Sequence, residues 1–90
     1  MKNIFITDSE LLEKFRQGDQ SSIEILINRY RKKLYTYIIL TVKNKDVADD
    51  IFQETFLKVI RSILNNQYTE SGRFCAWIFR IAHNLIIDYY

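Results

Sequence analysis

The stretch that decides the fold is residues 46–63, DVADDIFQETFLKVIRSI, together with residues 74–90, FCAWIFRIAHNLIIDYY, beyond a polar connection. In both segments apolar residues recur at intervals of three and four, which is the spacing of one face of an α-helix. The chain contains no proline and only two glycines, so few residues would interrupt helices. The sequence therefore predicts an all-α fold.

The same spacing extends through the N-terminal half and predicts a compact bundle of four helices, at about residues 8–17, 20–43, 47–64 and 71–89. Residues 8–90 would form one domain after a tail of residues 1–7, because 90 residues do not suffice for a second core. The fourth helix reaches Tyr90 without a stop signal, which favours a fragment of a longer chain.

Polar residues at the predicted boundaries indicate where each helix begins. The expected starts are Thr7 or Asp8, Asp19 or Ser21, Asp46, and Glu70 or Ser71. Ser21 with Glu24 three residues later has the spacing of a capping box for the second helix. Gly18 can end the first helix in a left-handed conformation.

Cysteine content and hydropathy indicate the compartment. Cys75 is the only cysteine, so no internal disulfide can form, and no charged-then-apolar leader opens the chain. The longest apolar run, residues 37–40, is far shorter than the ~20 residues of a membrane span. The sequence thus predicts a soluble, cytoplasmic protein without membrane insertion.

Charge is unevenly distributed although the net charge is only +2. Residues 25–45 contain arginine and lysine but no acid, whereas residues 46–54 contain aspartate and glutamate but no base. Such blocks suit two differently charged partners, and they also suit two solvated faces. Charge alone leaves both interpretations open.

The third predicted helix has sharply divided faces. Its predicted core positions are Ala48, Phe52, Phe56, Val59, Ile60 and Ile63. Its outward stripe, called here the α3 stripe, consists of Asp50, Gln53, Glu54, Lys58 and Arg61. Glu54 and Lys58 could form an ordinary surface pair, or the whole stripe could dock another helix that bears complementary charges.

The fourth predicted helix carries three strips of side chains. The core arc is Phe74, Trp77, Ile78, Ile81, Ala82, Leu85 and Tyr89. A partly aromatic strip follows, with Phe79, His83, Ile86 and Tyr90, and then a polar strip with Arg73, Arg80, Asn84 and Ile87. Arginine can bind phosphates, asparagine a base edge, and aromatic rings the faces of unpaired bases. In the alternative interpretation, Phe79 and Tyr90 pack on the first helix and Arg80 pairs with Glu70 or Asp88.

Catalytic and metal sites find little support. The sequence shows no serine or cysteine nucleophile placed with a histidine, and no glycine-rich phosphate loop. His83 is the only histidine and has no second ligand at a metal-binding spacing. A protein that is not an enzyme, and that needs no cofactor, is predicted.

The chain resembles the second conserved region of bacterial sigma factors, most closely the extracytoplasmic-function group. The matching stretches are Leu11-Leu12, Gly18-Asp19, residues 27–30, residues 49–56 (DDIFQETF), Phe74, and residues 77–84 (WIFRIAHN). The Gln-Glu-x-Phe core and the Trp-x-x-x-Ile-Ala-x-Asn string, about twenty residues apart, form a specific joint signature.

The resemblance implies two binding surfaces. The α3 stripe would dock on the clamp helices of the largest RNA polymerase subunit. The loop and fourth helix would read the non-template strand of the minus-ten promoter element. The DNA-binding residues expected are Tyr68, Arg73, Phe79, Arg80, His83 and Asn84. The resemblance further implies an anti-sigma factor as a partner, and a C-terminal helix-turn-helix domain in the native chain.

Two departures from the family pattern limit what can be transferred. The loop between Ile63 and Phe74 is about two residues longer than expected, and Tyr68 stands where a phenylalanine is expected. Because loop residues determine which base is captured, the resemblance does not predict the promoter sequence that this chain would recognise. A rival interpretation is a protein-interaction bundle, bound mainly by an inhibitory partner, without sequence-selective DNA binding.

Overall fold

The structure is a computed structural model, and it describes residues 6–68 and 72–90. Within these residues four α-helices follow one another, which confirms the all-α prediction. They are α1 (Asp8–Arg16), α2 (Gln20–Val42), α3 (Lys45–Leu64) and α4 (Phe74–Tyr89). No described helix has both the length and the apolar content needed to cross a membrane.

Helix α1 begins and ends as the sequence predicts. The Thr7 hydroxyl accepts a hydrogen bond from the Glu10 backbone N–H, and the Glu10 carboxylate accepts one from the Thr7 N–H, forming a capping box. The hydrogen bonds that the Thr7 backbone N–H and the Thr7 hydroxyl donate to the Glu10 carboxylate hold its pKa below the usual value. Gly18 then adopts a φ of +107°, a conformation that side chains with a Cβ rarely allow.

The predicted capping box at Ser21 and the predicted N-cap Asp46 are wrong, whereas Asp19, one of the two predicted starts of α2, is its N-cap. The N-cap of α2 is Asp19, whose carboxylate accepts from the Ser21 backbone N–H and from two serine hydroxyls, so the predicted capping box at Ser21 does not form. Helix α3 begins at Lys45 behind the N-cap Asn44 rather than behind Asp46. Lys43 turns the chain with a left-handed φ of +56°, so Asn44 is already in position to cap.

Helix α4 begins later than predicted. Gly72 has a φ of +78° and Arg73 lies outside helical geometry, so the helix includes neither residue. The predicted starting residues, Glu70 and Ser71, lie outside the described part of the chain. Arg73 occupies the N-cap position without a side-chain capping bond, because a guanidinium has no acceptor atom for the N–H groups of a helix start.

The core lies among the four helices, and α3 packs against both α2 and α4. Tyr30 contacts Phe74, and Tyr37 contacts Phe79, with ring centroids 5.8 and 5.5 Å apart. Because the contacts advance together along both chains, α2 and α4 run in the same direction. On one side they enclose the core with α3, and on the other they form a valley open to solvent.

The buried arc of α3 is rotated relative to the predicted one. Phe52 and Ile60 are only half-buried, whereas Ile51 and Thr55 are buried. The Thr55 hydroxyl donates to the Ile51 backbone carbonyl at 2.7 Å, so this polar group is satisfied inside the core. The other four predicted core positions of α3 are buried: Ala48, Phe56, Val59 and Ile63.

Candidate functional site

The buried line of α4 determines which side chains it presents to solvent. This line recurs every four residues as Phe74, Ile78, Ala82 and Ile86. Ile86 was predicted to lie on the partly aromatic strip, and the predicted core residue Tyr89 is 53% exposed; both predictions are wrong. The line faces the core, where Phe74 contacts Tyr30 of α2. Trp77, another predicted core residue, is half-buried at the edge of this line.

The strip formed by Phe79, His83 and Tyr90 faces α2. The Phe79 ring packs on Tyr37, whose hydroxyl is 3.0 Å from His83 Nδ1. The Tyr90 hydroxyl donates to the Thr41 backbone carbonyl at 3.5 Å. Phe79 and Tyr90 therefore pack on α2, and the alternative prediction that they pack on the first helix is wrong. Phe79 stays half-buried and His83 exposed, so both remain accessible along the valley.

The polar strip of α4, called here the α4 strip, comprises Arg73, Arg80 and Asn84 and is exposed along its length. Among the residues that the structure describes, Arg80 forms no ion pair, so the predicted alternative of an Arg80–Asp88 pair does not occur. The other alternative partner, Glu70, lies outside the described residues. Arg80 and Asn84 thus stand together on one exposed face of α4, and Arg73 precedes the helix at its N-cap position.

Tyr68 is placed differently from the other predicted DNA-binding residues. Its side chain is 6% exposed, and its ring stacks on that of Trp77 with centroids 4.2 Å apart. Phe74 contacts the same ring edge-on at 5.8 Å. Arg16 of α1 donates to the Tyr68 carbonyl at 2.7 Å and holds the backbone in place. The structure therefore does not bring the Tyr68 ring to the α4 strip.

The five residues of the α3 stripe are all exposed, as predicted. Two leucines accompany them on the same face: Leu57, which is 47% exposed, and Leu64, which is 58% exposed. Beside Leu57 a groove of about 300 Å³ between α2 and α3 is lined mainly by apolar and aromatic side chains such as Phe56 and Ile60. The predicted α3 stripe contained only polar residues, although Leu57 lies seven residues after Asp50, two helical turns further on the same face.

Asp49 and Asp50 have different roles although they are adjacent. The Asp49 carboxylate accepts hydrogen bonds from Lys45 and from the Tyr35 hydroxyl, each 2.8 Å long. These bonds, that from Lys45 first, hold the pKa of Asp49 below its usual value. Asp49 therefore joins α2 to α3, while Asp50 is exposed on the α3 stripe.

A sequence model of the family described as sigma-70 region 2 matches residues 26–90. This span includes most of α2 and the whole of the α3 stripe and the α4 strip. The chain belongs to the sigma-70 region 2 family. The resemblance found from the two signature strings is thereby confirmed. The match begins within α2, so it does not include α1 or the first six residues of α2.

The curated relatives of this chain are also named as RNA polymerase sigma factors. The domain is 33% identical to the ECF RNA polymerase sigma-E factor of Haemophilus influenzae, over 93% of this chain and 43% of the relative. It is 37% identical to the ECF RNA polymerase sigma factor BldN of Streptomyces coelicolor, over 90% of this chain and 30% of the relative.

The RNA polymerase sigma factor CarQ of Myxococcus xanthus is 36% identical, over 86% of this chain and 43% of the relative. The region 2 domain thus spans less than half the length of these relatives, and their names confirm the extracytoplasmic-function group. No solved structure gives a significant match.

Proposed function

We propose that this domain acts in transcription initiation by docking on RNA polymerase through the α3 stripe and holding the single non-template strand on the α4 strip. The observation that carries the proposal is the sigma-70 region 2 match, which spans both surfaces. No chemical step is involved, because recognition of an opened promoter requires only binding. Promoter DNA, the polymerase clamp helices and an anti-sigma factor are the proposed partners in a bacterial cytoplasm.

The exposure and chemistry of the α4 strip support a DNA-binding role. Arg73 and Arg80 are exposed cations suited to phosphates, and Asn84 offers both a donor and an acceptor to a base edge. Phe79 and His83 lie beside them and can contact base faces, which only an unpaired strand exposes. Stacking on an aromatic side chain contributes about 1 to 3 kcal/mol per base, enough to offset part of the unstacking cost.

The α3 stripe supports helix docking. Asp50 and Glu54 lie toward its N-terminal end, and Lys58 and Arg61 lie toward its C-terminal end. Leu57 stands between the two pairs, so an exposed apolar side chain is surrounded by charges of both signs. This pattern suits an amphipathic partner helix whose charges run in the opposite order along α3.

The deciding experiment is a binding screen of the domain over randomised single-stranded oligonucleotides, followed by variants of the α4 strip. Asn84→Ala should weaken binding to the selected motif by about 5- to 150-fold, because a base contact contributes about 1 to 3 kcal/mol. Arg80→Gln should weaken binding to all sequences, because it removes a phosphate contact. Melting temperatures should stay unchanged since both side chains are exposed. The matched control is Gln53→Ala, which removes an exposed amide from α3 and should leave DNA binding intact.

The outcomes separate the proposal from its rival. A short preferred motif that Asn84→Ala weakens supports recognition of the non-template strand. A protein-interaction bundle would be supported instead if the domain binds a clamp-helix fragment but binds all oligonucleotide sequences equally or binds no oligonucleotide. Early melting of both α4 variants would mean that the strip is part of the fold and not a binding surface.

A further inference from the structure

Arg16, the last residue of α1, contacts the connection that joins α3 to α4. Its guanidinium donates a hydrogen bond of 2.7 Å to the backbone carbonyl of Tyr68, which follows 52 residues later in the chain. Within residues 6–68 and 72–90, Arg16 forms no ion pair, so no described carboxylate competes for its guanidinium. The hydrogen bond therefore fixes the connection to α1 at one defined point.

The residue that Arg16 holds covers one face of Trp77. The Tyr68 ring stacks on the Trp77 indole with an angle of 31° between their planes, and Phe74 contacts both rings at 5.8 Å. Tyr68 is buried, whereas Trp77 is only half-buried. A side chain of the protein itself thus occupies one face of the indole.

Trp77 lies beside the α4 strip. It precedes Arg80 by three residues and Asn84 by seven, spacings that place all three side chains on one side of the helix. An uncovered indole at this position offers a stacking surface to a strand bound there, and such stacking accepts a base of any sequence. The position of Tyr68 therefore affects selectivity, although the Tyr68 ring does not reach the strip.

We propose that Arg16 is a positioning residue for base selection, because it holds Tyr68 over Trp77 and so keeps an unselective stacking surface covered. The proposal rests on the proposed DNA-binding function and adds a residue that belongs to neither of its two surfaces. Arg16 also precedes the span that matches the family, which begins at residue 26. Since Arg16 acts through Tyr68 and Trp77 without touching the strand, its loss should allow non-selected sequences to bind more tightly.

Arg16→Met removes the hydrogen bond but keeps an unbranched side chain. This matters because Arg16 also lines a groove with Ile60 and Leu64 of α3. Lys14→Met is the matched control, since it removes an exposed cation from the same helix and the Lys14 side chain makes no hydrogen bond to a described residue. Arg16→Gln, which adds no apolar surface, is a second variant. All three should keep the wild-type helix content by circular dichroism, because both positions are exposed.

The fluorescence of Trp77 measures whether its face is covered. Trp77 is the only tryptophan of the chain, so the signal reports on the stack with Tyr68. Acrylamide quenches an exposed indole faster than a covered one, so the Stern–Volmer constant should rise in Arg16→Met and Arg16→Gln. It should keep the wild-type value in Lys14→Met. Equal constants in all four proteins would mean that Tyr68 covers Trp77 without Arg16, and the inference would fail.

Binding to a scrambled oligonucleotide tests the effect on selectivity. This oligonucleotide has the length and composition of the selected one, and fluorescence anisotropy gives the dissociation constants for both. Arg16→Met should bind the scrambled oligonucleotide about fivefold more tightly than the wild type, which is the lower end of the gain from stacking one base on an aromatic ring. Loss of a cation alone should weaken binding instead, as expected for Lys14→Met. A gain therefore has no electrostatic explanation.

The results distinguish this inference from the proposed function. If Arg16→Met binds the scrambled oligonucleotide no more tightly than the wild type does, Arg16 does not act on selectivity and the inference fails. If Arg16→Met and Lys14→Met weaken binding to both oligonucleotides equally, Arg16 contributes only charge and the inference again fails. In both cases the proposed function stands as long as Asn84→Ala weakens binding to the selected motif. Failure of the wild-type domain to bind any oligonucleotide overturns both proposals.

Discussion

The Tyr68 ring stacks on Trp77 and contacts Phe74 edge-on, and Arg16 donates a hydrogen bond to the Tyr68 backbone carbonyl. The sequence shows an aromatic residue in a polar connection, which is also what a base-stacking side chain would look like. Burial depends on how the connection folds back on α4, and helical spacing carries no information about that. The exposure of Arg80 and Asn84 could be predicted, because helical geometry fixes the direction of their side chains. The burial of Tyr68 could not be predicted in this way.

Replacing Tyr68 tests whether its ring belongs to the fold. Tyr68→Ala removes a buried ring and should destabilise the domain by about 3 kcal/mol. For a domain of this size the unfolding midpoint should fall by at least about 10 °C, measured by circular dichroism. Asn84→Ala, at an exposed position, is the control and should melt like the wild type. A Tyr68→Ala variant with normal melting but impaired oligonucleotide binding would instead make Tyr68 a DNA contact.

At the level of elements, the sequence predicts the number of helices correctly, but it misplaces the starts of α3 and α4. Asn44 and Asp46 can both cap α3, and the left-handed turn at Lys43 decides in favour of Asn44. Similarly, Asp19 precedes Ser21 and takes the capping role first. Periodicity specifies a face to within about one residue step of 100°, so neighbours at its edge can exchange places in the core, as Phe52 and Ile51 do.

The exposed apolar centre of α3 leads to a prediction about docking. Leu57→Ala should weaken binding to an isolated clamp-helix fragment at least about fivefold, because central apolar contacts dominate such interfaces. Stability should not change, since Leu57 is already 47% exposed. Leu40→Ala, on α2 and 67% exposed, is the control. Isothermal titration calorimetry gives the affinities, and equal affinity of both variants would exclude Leu57 from the interface.

Glu54→Lys separates the charged part of the same interface from the apolar part. It reverses one charge at the acidic end of the α3 stripe and should also weaken docking. Its effect should shrink as salt rises, because exposed charges are screened, whereas the effect of Leu57→Ala should persist. Loss of both effects at high salt would mean that the interface is held by charge alone.

On the scale of the whole molecule, the two candidate surfaces differ in charge, because the α3 stripe carries both signs and the valley between α2 and α4 is basic. The outward face of α3 carries Asp50 and Glu54, while the valley between α2 and α4 carries Lys33 and Arg73 with no described acid. Both faces are built on the same helical core, but they share no residue. The basic block of residues 25–45 is divided between them, since Lys32 and Lys45 lie on the α3 side and Lys33 lies in the valley.

This separation predicts that the two partners bind at the same time. A saturating clamp-helix fragment should leave the dissociation constant for the selected oligonucleotide unchanged, because the proposed site of the fragment lies on α3 and the proposed site of the strand lies on α4. Anisotropy of a labelled oligonucleotide should then rise further as the fragment joins the complex. Any coupling must be reciprocal, so the oligonucleotide should change the affinity for the fragment by the same factor. If the dissociation constant instead rises in proportion to fragment concentration, the ligands compete and one of the two surfaces is misassigned.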